Sequence, residues 1–210
     1  HVQVGIRAAR EAGDLLIKRF GRIQTITSKG DRNLATDVDQ AAEQLIVDII
    51  SESFPDHALL GEEATDKKSD SEYLWIIDPL DGTHNFIRGI NIFGVSLGLW
   101  HRDDFVAGVV YMPRDQEMYY AARGQGAFKN GKPISVTSTA VLKEASCSFD
   151  SSLRYSPDVM LKVLGEVSTN CFNVRMLGSS ARLLTYVAEG TLDFAIEFYD
   201  RPWDFAGSVC

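Results

Sequence analysis

Acidic residues close apolar runs at three places in this chain. Glu62 and Glu63 follow Ala58-Leu59-Leu60-Gly61, Asp78 and Asp81 follow Trp75-Ile76-Ile77, and Asp204 follows Trp203, with Glu197 on the strand pattern before it. In open α/β sheets the loops beyond the carboxyl ends of the strands converge on ligand sites. Carboxylates gathered there repel one another unless a cation joins them, and beyond Arg88 and Arg201 these segments bring little positive charge of their own. A metal ion is the natural partner, and an oxygen-only ligand set suits Mg²⁺, Mn²⁺ or Ca²⁺. In Asp78-Pro79-Leu80-Asp81-Gly82-Thr83 two carboxylates three residues apart, held around a proline turn, can face one site, with the Leu80 carbonyl between them as a further ligand. Gly82 and Thr83 lead toward a helix expected near Asn85, whose free N–H groups and dipole favour an anion such as phosphate.

Each of these residues also has a plainer use. Asp-Pro and Asp-Gly are common turn formers, and the acidic hexapeptide is read as a metal site because Glu62 and Asp204 stand at comparable strand ends. Glu63 is read as solvated or as support for Glu62. Thr36 and Asp39 read as helix-capping residues; an Asp orienting a Thr hydroxyl is the sharper role, which spacing alone does not show. His57 and His84 read as surface or core residues, and Trp75 and Trp203 as packing residues. Gly178-Ser179-Ser180-Ala181 before Arg182 reads as a helix N-cap that could also offer N–H and hydroxyl groups to a polyol.

The elements that carry these residues follow from periodicity. Val4, Ala8, Ala12, Leu15, Leu16 and Phe20 predict a helix over 2–20 closed by Gly21. Ile23 to Thr27 is a short strand or loop, followed by a polar turn over 28–31. A second helix is expected over 37–53, with Ala41, Leu45, Ile49 and Ile50 inward, Thr36 or Asp37 as its cap and Asp39 or Gln40 as the reciprocal partner. A buried strand at 74–77 precedes a meander running from Phe93 to Phe128, with Asn130-Gly131 as a further turn. Beyond Pro133 come alternating units: strands near 145–149, 171–176 and 192–197, and helices near 157–167 and 180–189. Antiparallel pieces followed by alternating ones indicate an α/β chain of the layered, α+β kind, with any division near residue 135 separating two lobes in contact.

Composition bounds the rest. At 210 residues the chain is one to two domains and can bury a core without disulfides. Hydrophobic residues at 45% and charged residues at 24% exclude disordered and fibrous classes. With 29 acidic against 21 basic residues the net charge is −8, so the surface as a whole repels nucleic acid and anionic membranes. Cys147, Cys171 and Cys210 are odd in number and unclustered, as expected of free thiols in a reducing, cytoplasmic compartment. The apolar run Ile92–Trp100 is too short to span a bilayer, and no signal-peptide pattern opens the chain. The first residue is His1 and the last, Cys210, lies inside an unfinished pattern, so both ends read as trimmed.

Gly61-Glu62-Glu63, the run Trp75 to Phe86 (WIIDPLDGTHNF) and Trp203-Asp204-Phe205-Ala206-Gly207 resemble the signature blocks of the inositol monophosphatase family of Mg²⁺-dependent, lithium-sensitive sugar-phosphate phosphatases. Asn33 to Asp39 resembles its N-terminal block and Gly178-Ser179-Ser180-Ala181 its substrate-side block. The central block is the specific one; Gly-Glu-Glu alone would be weak. The resemblance runs from about residue 2 to 210. It implies an α-β-α-β-α sandwich of the inositol monophosphatase and fructose bisphosphatase type, one catalytic unit over 1–210, with a metal-binding lobe over about 1–135 and a substrate-side lobe over about 136–210. Family chains usually continue past the Trp-Asp block, so a further strand and helix are expected beyond Cys210.

The same resemblance implies the site. Glu62, Asp78 and the Leu80 carbonyl would hold a first metal, Asp78, Asp81 and Asp204 a second, and Glu62 would help with a third, so two or three Mg²⁺ ions are expected, with Mn²⁺ as a possible substitute. Gly82 and Thr83 would bind phosphate. Asp39 would polarise Thr83, and together with Glu62 they would activate the attacking water. Asp81, Glu197 and Gly178, Ser179 and Ser180 would contact substrate hydroxyls, with Ser151 or Ser152 beside them. His84 stands where Thr is frequent in the family. The implied reaction is in-line attack of a metal-activated water on a phosphate monoester without a phosphoenzyme, most readily inositol 1-phosphate, by a homodimer with no nucleic-acid or membrane partner. Fructose 1,6-bisphosphate and 3′-phosphoadenosine 5′-phosphate are the alternative substrates, and a non-catalytic metal- or phosphate-binding module is the alternative of a different class.

Overall fold

Along the strand Gly94–His101, Val95, Leu97 and Leu99 join one hydrophobic core, while on the other face Ser96 and Gly98 lie against Gly207 and Ala206. That alternation separates the layers of the molecule. The computed structural model describes residues 1–30 and 33–210. Its elements are α1 (Val2–Arg19), β1 (Ile26–Gly30), β2 (Asn33–Thr36), α2 (Asp37–Ser53), β3 (Ala58–Gly61), β4 (Asp66–Lys67), β5 (Tyr73–Asp81), α3 (Thr83–Ile87), β6 (Gly94–His101), β7 (Asp104–Met112), β8 (Glu117–Ala122), β9 (Ala127–Lys129) and β10 (Lys132–Ile134). There follow β11 (Ser146–Phe149), α4 (Pro157–Asn170), β12 (Asn173–Arg175), α5 (Ser180–Ala188), β13 (Phe194–Ile196) and α6 (Pro202–Ala206).

Eight strands form one sheet in the order β10-β9-β8-β7-β6-β5-β3-β4. Consecutive hairpins build most of it, and Asn130-Gly131, both at positive φ, makes the two-residue turn between β9 and β10. Helices α1 and α2 lie together over one face. Ala8, Ala12 and Leu16 of α1 and Val38, Ala42 and Ile46 of α2 bury against Trp75, Ile77, Leu97 and Val109. Each large side chain so buried contributes about 1.5–3 kcal/mol.

Helices α5 and α6 cover the opposite face, where the approach is close: a Cβ on Gly98 would stand 2.6 Å from Ala206 Cβ. On their far side lies a parallel three-stranded sheet, β12-β11-β13, flanked by α4. The result is the expected layered α-β-α-β-α fold. No helix among the described residues is long and apolar enough to cross a membrane.

Four local expectations are corrected. In α2 the inward face is Ala42, Ile46, Ile49 and Ile50; Ala41 is exposed and Leu45 half-buried. Alanines at 41 and 42 score alike, so the pattern left the phase open by one residue. Ser28 to Gly30 is not a turn but part of β1, which pairs with β2 in an antiparallel ribbon, while Asp31 of the expected turn lies outside the described residues. The strand expected at 74–77 runs on to Asp81 through a bulge, because two residues lie between Asp78 and Asp81 where one lies between their partners Ser96 and Gly94. A bulge accommodates Pro79, which has no N–H for the ladder. Helix α3 starts at Thr83, two residues before the expected position.

Candidate active site

Strands β3 and β5 run parallel, with Gly61 opposite Ile77. The next residue of each chain is an acid, and Glu62 N–H donates to the Ile77 carbonyl at 3.1 Å. Glu62 and Asp78 therefore leave the carboxyl ends of adjacent strands side by side. The bulge in β5 returns Asp81 to the same end, and α6 brings Asp204 up to it across the close contact with β6. Glu62, Asp78, Leu80, Asp81 and Asp204 line one cleft of about 1030 Å³, together with Gly82, Thr83, Gly178, Ser179, Ser180 and Glu197.

Burial first, and neighbouring negative charge after it, raises the carboxyls of Asp78, Asp81 and Asp204. Asp78 is 2% exposed and accepts a bond from Leu80 N–H at 3.1 Å; burial and the neighbouring charges of Glu62, Asp81 and Asp204 hold its carboxyl well above the usual range. Burial lifts Asp204 to about 7 against the bond from Arg201 N–H, with Asp81 and Glu62 adding to the rise. Asp81 rises to about 6 through burial, although it accepts the Ser179 hydroxyl and, at 2.9 Å, the Ser180 N–H. Among the described residues no Lys or Arg pairs with Asp78, Asp81 or Asp204; Lys29 reaches Glu62 and Glu63 at 2.9 and 2.6 Å. Buried like charges of this kind are the donor set for a hard divalent cation. No three Asp, Glu, His or Cys side chains among the described residues meet at a single point, so what unites the acids is their common wall and the negative charge that raises the Asp78, Asp81 and Asp204 carboxyls.

Beside the acids, Gly82 adopts φ +82°, where a side chain would be strained and would meet the Ile92 carbonyl, and helix α3 begins at the next residue. Thr83 Oγ1 lies 3.0 Å from Asp39 Oδ1 and 2.9 Å from the Leu80 carbonyl, two acceptors for one hydrogen. Asp39 is fully buried at the start of α2, accepts Thr36 N–H at 2.8 Å and so completes the capping box; burial raises its carboxyl. Both roles considered for Asp39 are thus present in one side chain.

The Gly178–Ser180 turn, at the start of α5, lies over the acids and bonds Asp81. Ser179 caps α5 and Ser180 Oγ donates to Glu197 Oε2 at 2.7 Å, while Glu197 Oε1 is buried without a partner among the described residues. Burial, helped by Asp200 and Asp150, pushes Glu197 to about 8. Ser151 and Ser152 line the same cleft, as does Trp203; His84 sits on its rim with its side chain exposed.

Three residues with no assigned role belong to this arrangement. Lys29 comes from the ribbon β1–β2, where the sequence pattern indicates a short strand or loop over 23–27 and a polar turn over 28–31. Asn85 is buried and its amide donates to the carbonyls of Ile92, Leu177 and Gly178 at 2.8–3.1 Å, tying α3 to the turn that holds Asp81. A buried Asn inside an otherwise polar-tolerant motif is a signal that spacing cannot convert into a partner. Glu43 on α2 receives the backbone of residues 63–65.

The model described as the inositol monophosphatase family matches residues 2–210. A fructose-1,6-bisphosphatase/inositol-1-monophosphatase of Aquifex aeolicus is 37% identical over 100% of this chain and 81% of its own length. The Nus factor SuhB of Escherichia coli K12 is 35% identical over 98% of this chain and 79% of its own. The solved structure of the extragenic suppressor protein suhB from Bartonella henselae superposes with a TM-score of 0.94 at 32% identity, covering 99% of this chain and 81% of that one.

Proposed function

The chain belongs to the inositol monophosphatase family and is a phosphatase, and from that premise we propose that it hydrolyses inositol 1-phosphate in a Mg²⁺-dependent reaction without a phosphoenzyme. The observation that carries this reading is the cleft wall on which buried Asp78 and Asp81 and half-buried Asp204 stand near Glu62, the three Asp without basic partners among the described residues. Oxygen donors of this kind suit Mg²⁺ by their chemistry, in keeping with a family that is in general metal-dependent, although no three of the acids meet at a single point among the described residues. Glu62, Asp78 and the Leu80 carbonyl would hold one ion, Asp78, Asp81 and Asp204 a second, and Glu62 part of a third. When bound, such ions neutralise phosphoryl oxygens, stabilise the leaving alkoxide and acidify water.

The protein's own groups do the rest. Were the Leu80 carbonyl to serve as a ligand, the Thr83 hydroxyl would donate to Asp39 and could accept from an attacking water. Glu62 on the same cleft wall would take the water's proton. The backbone N–H groups after Gly82 would bind the phosphoryl oxygens. Glu197 Oε1, buried and unpartnered, is a polar atom that a substrate hydroxyl would satisfy, which favours a polyol, and Ser179 and Ser180 fix the carboxylates on either side of it. We further propose that residues 1–210 act as one catalytic unit with lobes at about 1–135 and 136–210, and that the protein is lithium-sensitive, cytoplasmic and homodimeric.

The test is phosphate release from inositol 1-phosphate, fructose 1,6-bisphosphate and 3′-phosphoadenosine 5′-phosphate with Mg²⁺ and with chelator. Fastest Mg²⁺-dependent release from inositol 1-phosphate supports the reading. Faster release from either of the others assigns the substrate to that compound, and no release from any removes the proposal.

A further inference from the structure

Helix α2 presents two buried carboxylates one turn apart. Asp39 turns toward Thr83; Glu43, four residues on, is 3% exposed and lies under the segment that follows β3. Its Oε2 accepts Glu63 N–H at 2.8 Å, and its Oε1 accepts Ala64 N–H and Thr65 N–H, both at 2.9 Å, and the Thr65 hydroxyl at 2.8 Å. Four donors converge on one carboxylate, and all belong to the three residues after Glu62. The fit leaves no slack: a Cβ on Gly61 would stand 2.8 Å from Glu43 Oε1. From the other side, Glu62 N–H is pinned to β5. The backbone of Glu62 is thus held between the strand that carries Asp78 and the helix that carries Asp39.

We infer that Glu43 is a positioning residue for Glu62, and that α2 is the common mount that sets Thr83 through Asp39 and the Glu62 carboxylate through Glu43. Segments of consecutive backbone N–H groups have no partners of their own unless a strand, helix or side chain supplies them. Here the side chain is a charged acceptor, and charge-assisted bonds are roughly twice as strong as neutral ones. The inference rests on the reading of Glu62 as a metal ligand. Groups that orient metal ligands typically change metal affinity by about 10–100-fold when removed.

The test measures Mn²⁺ binding directly, from the electron paramagnetic resonance signal of free Mn²⁺, alongside the Mg²⁺ dependence of activity, in the unaltered protein and in Glu43→Gln, Thr65→Val and Glu62→Gln. Glu43→Gln keeps the shape but sets an NH₂ against one of the loop N–H groups. It is expected to weaken Mn²⁺ binding and raise the Mg²⁺ needed for half-maximal rate about 10-fold or more, with the circular dichroism spectrum unchanged. Thr65→Val leaves all charges in place and removes one bond; it is expected to weaken binding in the same sense by about threefold, and it carries the test if Glu43→Gln does not fold. Folded Glu43→Gln that binds Mn²⁺ as the unaltered protein does, while Glu62→Gln binds it poorly, overturns the positioning role alone. Weakening by Glu43→Gln with Thr65→Val unaffected also overturns it, by assigning the effect to lost charge. Unchanged binding in Glu62→Gln overturns the metal-site reading and this inference with it.

Discussion

Glu197 carries two opposite demands in one carboxyl group. One oxygen is fixed by Ser180, and the other is buried and open to a ligand. Its carboxyl holds a proton up to about 8 because burial, then Asp200 and Asp150, disfavour the charge. A carboxyl raised in the folded state binds protons more tightly there than in the unfolded chain, so its stabilising effect is complete below about pH 4.5, the ordinary value, and is lost as pH rises to about 8. In chelator, the melting temperature is expected to fall between pH 5 and about 8, and Glu197→Gln is expected to flatten part of that fall. A scan by differential calorimetry checks it, and parallel curves for the two proteins would reject the assignment. At this scale the sequence was most informative where acids stood at the ends of apolar runs. Glu62, Asp78, Asp81 and Asp204 do line one cleft, as spacing suggested. Glu43 escaped because an acid inside an amphipathic helix reads as solvent-facing. Its place four residues after Asp39 and three before Ile46 on the buried face was the available signal, hidden by the one-residue slip in phase between Ala41 and Ala42.

At the scale of elements, β5 and β6 decide how the acids meet. The bulge at Asp78–Asp81 turns both carboxylates to one end of β5, and the small residues Ser96 and Gly98 on β6 admit α6, which carries Asp204. Gly98→Ala inserts a methyl group where Ala206 already stands. Overpacking of this kind costs about 1–3 kcal/mol, equivalent to a fall in melting temperature of roughly 2–10 °C for a chain of this size. Because the strain falls on α6, the Mg²⁺ concentration for half-maximal activity is expected to rise as well. Thermal unfolding and a Mg²⁺ titration read the two effects, and a variant as stable as the parent would contradict the close packing. The helices and the meander were legible from periodicity, and the short parallel strands β11, β12 and β13 from alternation with helices. The bulge was not, since a Pro after an apolar run reads equally well as the end of a strand. Nor was the ribbon β1–β2, whose first strand is exposed throughout and so has no hydrophobic pattern.

Across the whole molecule the cleft depends on α5 meeting the large sheet. Buried Arg182 of α5 pairs with Glu117 at 2.7 Å and with Asp115, and lies over the Tyr186 ring, while Lys129 joins Glu117 and Glu189. This network fixes α5 to β8, β9 and the turn before β8 in the large sheet, and the N-terminal turn of α5 is the one that holds Asp81 and Glu197. The net charge of −8 would repel a phosphate ester, yet part of it is the acid cluster itself, and divalent cations gathered there would reverse the local sign. The most direct measurement is the rate of phosphate release from inositol 1-phosphate as Mg²⁺ is raised from zero, for the unaltered protein and for Asp81→Asn. Release is expected to require Mg²⁺ and to fall at least about 100-fold in Asp81→Asn; release that persists in chelator, or is unchanged by the substitution, would contradict the proposed metal-dependent hydrolysis.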